Sequence, residues 1–316
     1  MRRFLLHRLA AMLPVLFGVS VVIFVLIHLA PGDVTTVMLG PQASETAKQE
    51  LRHTLGLDQA LPVQYGQWLA RTVAGDFGVS LATQRQVADL VLPRLVNTLI
   101  LTGASLLLAM FTGYTAGLIA ALRARSGFDR GTMILTLLLG SIPQFWLGLM
   151  LVLLFAIRLR LLPVSGMQDF SGDGGPFDLL RHLILPAVTT ALGPAAIITR
   201  LVRSSLLESM ARPHVRVARA KGLPPIRLFL RHVALNALPP ILTITGLQLG
   251  YLLGGVLLTE VVFAWPGLGS LLYDSIAARD LPVVQATALV TALAFVLVNL
   301  IVDFINAVLD PRIVES

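Results

Sequence analysis

Apolar residues gather into six long runs, near 9–29, 96–122, 131–157, 182–202, 234–262 and 283–309, each with few or no charges inside it. A bilayer core about 30 Å thick takes roughly 20 apolar residues per helix, and in hydrocarbon a helix satisfies every backbone polar group within its own segment. The pattern predicts an all-α polytopic membrane protein of about six transmembrane helices, forming one domain over 1–316. Pro143 and Pro186 fall inside the third and fourth runs and are expected to kink them. The first run ends in Leu29-Ala30-Pro31-Gly32 with no small-x-small cleavage site, so it reads as a retained helix and not as a signal peptide. The segment 31–95 is too long for a plain connection. It holds Asp33, Glu45, Glu50, Asp58, Asp76 and Asp89 and a helix-like stretch from Thr46 to Leu55, and it is expected to form an extracytoplasmic cap. The stretch Asp169 to Pro176 reads as a loop.

Composition agrees with the pattern: 56% of the residues are hydrophobic, 13% are charged, and mean hydropathy is +0.82. An average soluble domain is about one-quarter charged. The net charge of +7 comes almost wholly from arginine, since Lys48 and Lys221 are the only lysines. These cations form no single stripe for nucleic acid. Fifteen of the 24 lie in 1–8, 123–130, 200–232 and 310–316, the segments that alternate on one side of the predicted spans. Short loops rich in arginine stay in the cytoplasm, which places both termini there. Cysteine is absent, which excludes a disulfide framework, a thiolate metal site and a cysteine nucleophile.

The longest basic segment, 200–232, holds Arg200, Arg203, Arg212, Arg216, Arg219, Lys221, Arg227 and Arg231, and is broken in the middle by Gly222-Leu223-Pro224-Pro225. Glycine closes a helix through the left-handed conformation and proline opens the next without losing a hydrogen bond, so the segment predicts helix, sharp turn, helix. Helical spacing puts Ile226, Phe229, Leu230 and Val233 on one face of the second helix, and Arg227 and Arg231 on another. Two uses fit: an amphipathic loop resting on anionic lipid headgroups, or a docking element whose small residues Ala218 and Ala220 and turn at Gly222 enter a groove on a cytosolic partner.

The order of residues here resembles a known family. Val217-Ala218-Arg219-Ala220-Lys221-Gly222-Leu223, followed by Arg231-His232-Val233-Ala234-Leu235-Asn236-Ala237-Leu238-Pro239, is similar to the cytoplasmic loop of binding-protein-dependent permeases of ATP-binding-cassette (ABC) importers, in their dipeptide, oligopeptide and nickel branch. The chain departs from the general pattern, with Arg216 at the usual glutamate, Val217 at the first alanine, and Leu238-Pro239 about four residues late. Leu29 to Asp33, Gly75 to Gly78, Arg94 to Leu99, Ser141 to Trp146, Leu185 to Ala187 and Phe263 to Gly269 resemble the same branch. Locally, Pro31-Gly32-Asp33 and Trp265-Pro266-Gly267 also read as turns at the membrane surface, with Trp265 an interfacial anchor. The resemblance implies a type I ABC importer permease fold and Arg216, Val217, Ala218, Arg219, Ala220, Lys221, Gly222 and Leu223 as the ATPase-coupling loop. It further implies a second homologous permease, most simply a different chain, one or two ABC ATPase subunits that bind ATP and Mg²⁺, and an extracytoplasmic binding protein delivering short peptides, glutathione, a nickel chelate or another small solute.

The chain lacks a G-x-x-x-x-G-K-S/T phosphate loop, an H-E-x-x-H pair and a G-x-S-x-G elbow, so ATP hydrolysis by this chain and intramembrane hydrolysis are excluded as readings. Ion-coupled carriers keep ionisable residues near the bilayer midplane. Here the candidates are His28 and Glu260 near helix ends and Asp303 inside the last span. His28 reads as interfacial, Asp303 as the partner of an arginine from 200–231, and Glu260 as a possible gate or path residue near the outer end of the fifth span. A self-sufficient channel or secondary carrier is the competing class.

Overall fold

The computed structural model describes residues 2–29, 42–55, 58–169 and 174–309; Pro31, Gly32 and Asp33, the middle of the 169–176 loop, the segment 310–316 and the side chain of His28 lie outside the described parts. Among the described residues there are twelve α-helices. They are α1 (Arg2–Leu29), α2 (Glu45–Leu55), α3 (Leu61–Val73), α4 (Val87–Leu122), α5 (Gly127–Ser141), α6 (Gln144–Leu151), α7 (Pro176–Ala211), α8 (Pro213–Ala220), α9 (Pro225–Leu228), α10 (Leu235–Val262), α11 (Leu268–Ala277) and α12 (Leu281–Leu309). Two π-helical segments, Val152–Arg158 and Phe229–Ala234, continue α6 and join α9 to α10. The predicted stretch Thr46 to Leu55 falls within α2.

Five helical stretches are long and apolar enough to cross a membrane, those of α1, α4, α7, α9 to α10, and α12, and the pair α5 and α6 makes a sixth only if a broken span is counted as one. The kink expected at Pro143 is a full break of the helix. α5 and α6 are bent by 102°. The residue before a proline is pushed out of the α region, and Ile142 accordingly adopts φ −78°, ψ 128°, so α5 stops at Ser141 and α6 restarts after Pro143. Pro186 and Pro194 behave differently, and α7 continues through both. Thr189 and Thr190 turn their hydroxyls back on the Leu185 and Pro186 carbonyls at 2.8 and 2.9 Å, the usual back-bond of a buried helix threonine.

α4 and α7 pack closely together, with Gly113 and Gly117 of α4 against Ala195, Ile198, Thr199 and Val202 of α7. Small residues four apart allow two helix axes to approach in lipid, where van der Waals packing has to supply the association energy. α1 packs on α12, and Arg8 pairs with Asp303 at 3.0 Å. This corrects the expected pairing of Asp303 with the 200–231 arginines: the last helix lies beside the first. The end of the bundle holding the start of α1 and the segment 212–224 is the arginine-rich end.

At the opposite end lie α3 and a loop closed by the bridge Val79 to Gln86. α3 leans on α1 through Phe17, Phe24, Tyr65 and Trp68, and the Tyr65 hydroxyl meets Ser20 at 2.7 Å. Buried Asp280, between α11 and α12, accepts hydrogen bonds from the Ser80 hydroxyl (2.5 Å) and from the Leu81 and Ala82 amides (3.1 and 3.2 Å). The cap loop is therefore tied to the turn before the last span by charge-assisted bonds, which are about twice as strong as neutral ones.

Candidate functional site

The basic segment folds as its punctuation predicts. Pro213 opens α8, Gly222 takes φ +76°, and Pro224, extended at ψ 142°, caps the next helix with Pro225 at its first position. The left-handed conformation at Gly222 costs an L-residue roughly 1–2 kcal/mol, which explains glycine there, since a Cβ at that point meets nothing within 4 Å.

One side of this helix-turn-helix belongs to the transmembrane core. Val215, Ala218, Leu228 and Val233 are buried in one cluster with Leu206, Val202 and Ile198 of α7 and Ala109 and Ala121 of α4. The other side is exposed: Arg216, Val217, Arg219, Ala220, Lys221, Gly222, Ile226, Arg227 and Leu230 face outward, with Leu223 partly covered. Ile226 is 74% exposed and Val217 54%, so an apolar strip rimmed by arginine is presented at this end. Two expectations are corrected here. Ala218 is only 7% exposed and packs inward. The predicted face of Ile226, Phe229, Leu230 and Val233 is also split, because the π-helical turn at Phe229–Ala234 replaces a four-residue with a five-residue spacing. Leu228 and Val233, five apart, share the buried side, whereas Ile226 and Leu230 are left outside.

Polar contacts fix the element to the bundle. Ser209 of α7 donates to the Val233 carbonyl at 2.9 Å, and His214 lies 3.4 Å from the His232 carbonyl. Nearby, the Arg203 guanidinium grips the buried Asp129 carboxylate with Nε and with Nη2 (2.7 Å), while the Arg125 amide adds a bond of 2.8 Å. Asp129 lies in the first turn of α5, capped by Ser126. This pair locks the start of α5 to α7, and one lone aspartate among Arg123, Arg125 and Arg130 was the sequence signal for it.

At the cap end, four segments singled out in the sequence converge. Glu260 is 0% exposed. Its carboxylate accepts from the Thr98 hydroxyl at 2.6 Å and from the Gly269 and Ser270 amides at 2.6 and 3.3 Å, the first turn of α11, where unpaired N–H groups favour an anionic acceptor. Asn97 donates to the Pro266 carbonyl at 2.8 Å and Trp265 Nε1 to the Asn97 carbonyl at 3.0 Å. Gln144 reaches Thr259 at 2.9 Å, and Ala187 packs with Trp265, Leu101 and Val256. Trp265 is therefore a core residue in place of the expected interfacial anchor. After α10, Ala264 at φ +45° folds the chain back and tucks the indole against α4. Glu260, the possible gate residue, is enclosed in this structure by its own chain. Glu260→Ala orphans up to three donors at about 1–3 kcal/mol each, so its thermal unfolding in detergent should show a loss of about 3 kcal/mol, with Glu260→Gln milder. A melt indistinguishable from the parent chain rejects the latch.

Comparison with known proteins gives the arrangement its context. Residues 113–315 match the family of binding-protein-dependent transport system inner membrane components, and residues 1–102 the N-terminal component of the same systems. The chain is 42% identical to the di/tripeptide transport system permease protein DppB of Pseudomonas aeruginosa and 39% identical to the glutathione transport system permease protein GsiC of Escherichia coli K12, with 99% of each chain covered in both cases. Among solved structures it resembles a chain of the MetNI methionine ABC transporter in inward-facing conformations, with a TM-score of 0.55 and 19% identity over 70% of this chain and 96% of that one. The six-run helical bundle, the basic helix-turn-helix and the matched regions lead to one assignment: this multi-pass membrane protein belongs to the binding-protein-dependent permeases of ABC importers.

Proposed function

We propose that this permease passes short peptides across the cytoplasmic membrane of a prokaryote, and that the helix-turn-helix of α8 and α9 is the element that couples it to an ATPase. The supporting observation is the two-sidedness of that element. Its inner side is continuous with the core between α4, α7 and α10, and its outer side offers Val217, Ala220, Gly222 and Ile226 among arginines. A partner that grips the outer side moves three spans together. ATP binding then shifts the spans between two arrangements by as much as the ATPase's differential affinity for them allows. In this reading the arginine-rich end is cytoplasmic. The cap, 31–95, faces the binding protein, and ATP and Mg²⁺ stay on the ATPase subunits. A second permease, most simply a different chain, completes the path.

Peptide cargo rests on the relatives' names. Both are peptide-class systems, since glutathione is itself a tripeptide. Nickel chelates and other small solutes remain outcomes of the test. Extracting the tagged chain gently and identifying its stoichiometric companions by mass spectrometry should yield a second permease and one or two ATPases. Recovery of the chain alone, active in liposomes without ATP, rejects the reading in favour of a self-sufficient carrier.

A further inference from the structure

Beyond the coupling element, the cap end holds a cluster with no part in the reading above. We propose that Asp169, Asp178 and His182 form a binding site for a divalent transition-metal ion such as Zn²⁺, at the point where the loop after the third span meets the start of α7.

His182 is the buried member of the cluster. Its side chain is only 3% exposed. Nδ1 lies 3.0 Å from the Asp178 main-chain carbonyl and 3.3 Å from the Asp178 carboxylate, both acceptors, which favours the tautomer with the proton on Nδ1. In the neutral ring Nε2 then presents a lone pair, and the group it faces is the Asp169 carboxylate at 3.6 Å. Two acceptors face each other, and they repel unless a positive charge lies between them. A second proton on the ring is one source of that charge. The spacing argues against it, because a charge-assisted N–H···O bond closes to about 2.7–2.9 Å. A tetrahedral ion with bonds of about 2.0–2.2 Å instead holds its ligand atoms about 3.3–3.6 Å apart. Asp178 supplies the third donor, with one ligand atom from each of the three side chains falling within 4.8 Å of the others. Its carboxylate is oriented in turn by the Asp169 amide at 2.8 Å, the kind of outer contact that aims a metal ligand. One imidazole and two carboxylates suit zinc-class ions, and the 55% exposed side of Asp169 leaves a fourth position for water.

Such an ion staples the loop to α7. The loop already donates the Gly166 amide to the Phe263 carbonyl at 2.8 Å, and Met167 packs against the Trp265 cluster. Metal binding at His182 therefore stiffens the same cap-end knot that Glu260 holds from the other side.

The test uses the full chain in lipid nanodiscs, stripped with a chelator and titrated with Co²⁺. The chain has no cysteine, so thiolate binding contributes no background. One Co²⁺ per chain with the intense visible bands of tetrahedral cobalt, displaced by Zn²⁺ and accompanied by a rise in Tm, is the expected result. Asp169→Asn, on the exposed loop, should weaken it at least about tenfold, and His182→Gln should abolish it. His214→Gln, at the arginine-rich end, should leave it unchanged. Co²⁺ binding that ignores Asp169→Asn overturns the site, as does a chain that shows only an imidazolium titration at His182 and takes up no metal.

Discussion

Replacing Val217 and Ile226 together with aspartate should abolish ATP-driven import and the recovery of ATPase subunits with this chain, while the permease itself still inserts and melts as before. Both side chains are largely exposed in the isolated chain. Surface substitutions of that kind change stability by about 0.5 kcal/mol or less. Covered by a partner, each is worth about 1.5–3 kcal/mol, and aspartate in its place adds an unpaired carboxylate to the contact. A combined loss near 5 kcal/mol lowers affinity by about three to four orders of magnitude. Co-purification and binding-protein-dependent uptake read this directly. If both survive the double replacement, α8 and α9 are not the grip. Headgroup attachment gives the opposite ranking, since it depends on Arg216, Arg219 and Arg227 and on low salt, with little effect of two apolar residues. Ala218→Asp does not serve as this test. Its side chain lies among Val215, Leu206 and Leu228, and a charge there disrupts the fold before any docking is measured.

What the sequence made legible was set by period and punctuation. The apolar runs gave the spans because lipid leaves a long chain segment few alternatives, and Gly222 with Pro224 and Pro225 gave the turn because few other residues tolerate those backbone angles. The π-helical turn at Phe229–Ala234 was not legible, and with it went the sidedness of Ile226 and Leu230. No residue type marks the change from four-residue to five-residue spacing. The break at Pro143 and the continuity at Pro186 show the same limit, since proline removes one bond in both places and the neighbours decide the outcome. At Pro186 the helix loses the bond to the His182 carbonyl four residues back and continues all the same. The cap-end knot was visible only as separate motifs. Nothing local to Glu260 says that Thr98, Gly269 and Ser270 close around it, because that pairing is created by the return of the chain at Ala264.

The packing of α4 on α7 carries the second large prediction, that Gly117→Leu leaves little folded chain in the membrane. A Cβ at Gly117 lies 2.7 Å from the Thr199 carbonyl oxygen and 2.8 Å from Val202 Cβ, and one at Gly113 lies 2.7 Å from Ile198 Cγ2. A backbone oxygen cannot rotate aside as a side-chain tip does. The helices have to separate, and in lipid the lost contacts are not replaced by a hydrophobic driving force. Overpacking costs about 1–3 kcal/mol and sometimes more; a leucine driven against backbone at a tight helix crossing belongs at the upper end. Val202 also belongs to the cluster that seats Val215 and Ala218, so the displacement reaches the base of the coupling element. Gly103, on the same helix with nothing within 4 Å of its Cβ position, is the control. Glycine to alanine within a helix gains up to about 1 kcal/mol in propensity. Gly103→Ala should therefore be neutral or stabilising and Gly117→Ala destabilising, and that reversal isolates the collision from propensity. Thermal unfolding in detergent with size-exclusion recovery of folded chain measures all three variants. If Gly117→Leu accumulates and Gly117→Ala melts like Gly103→Ala, α4 and α7 do not approach as closely as this structure has them, and the coupling element rests on a different core.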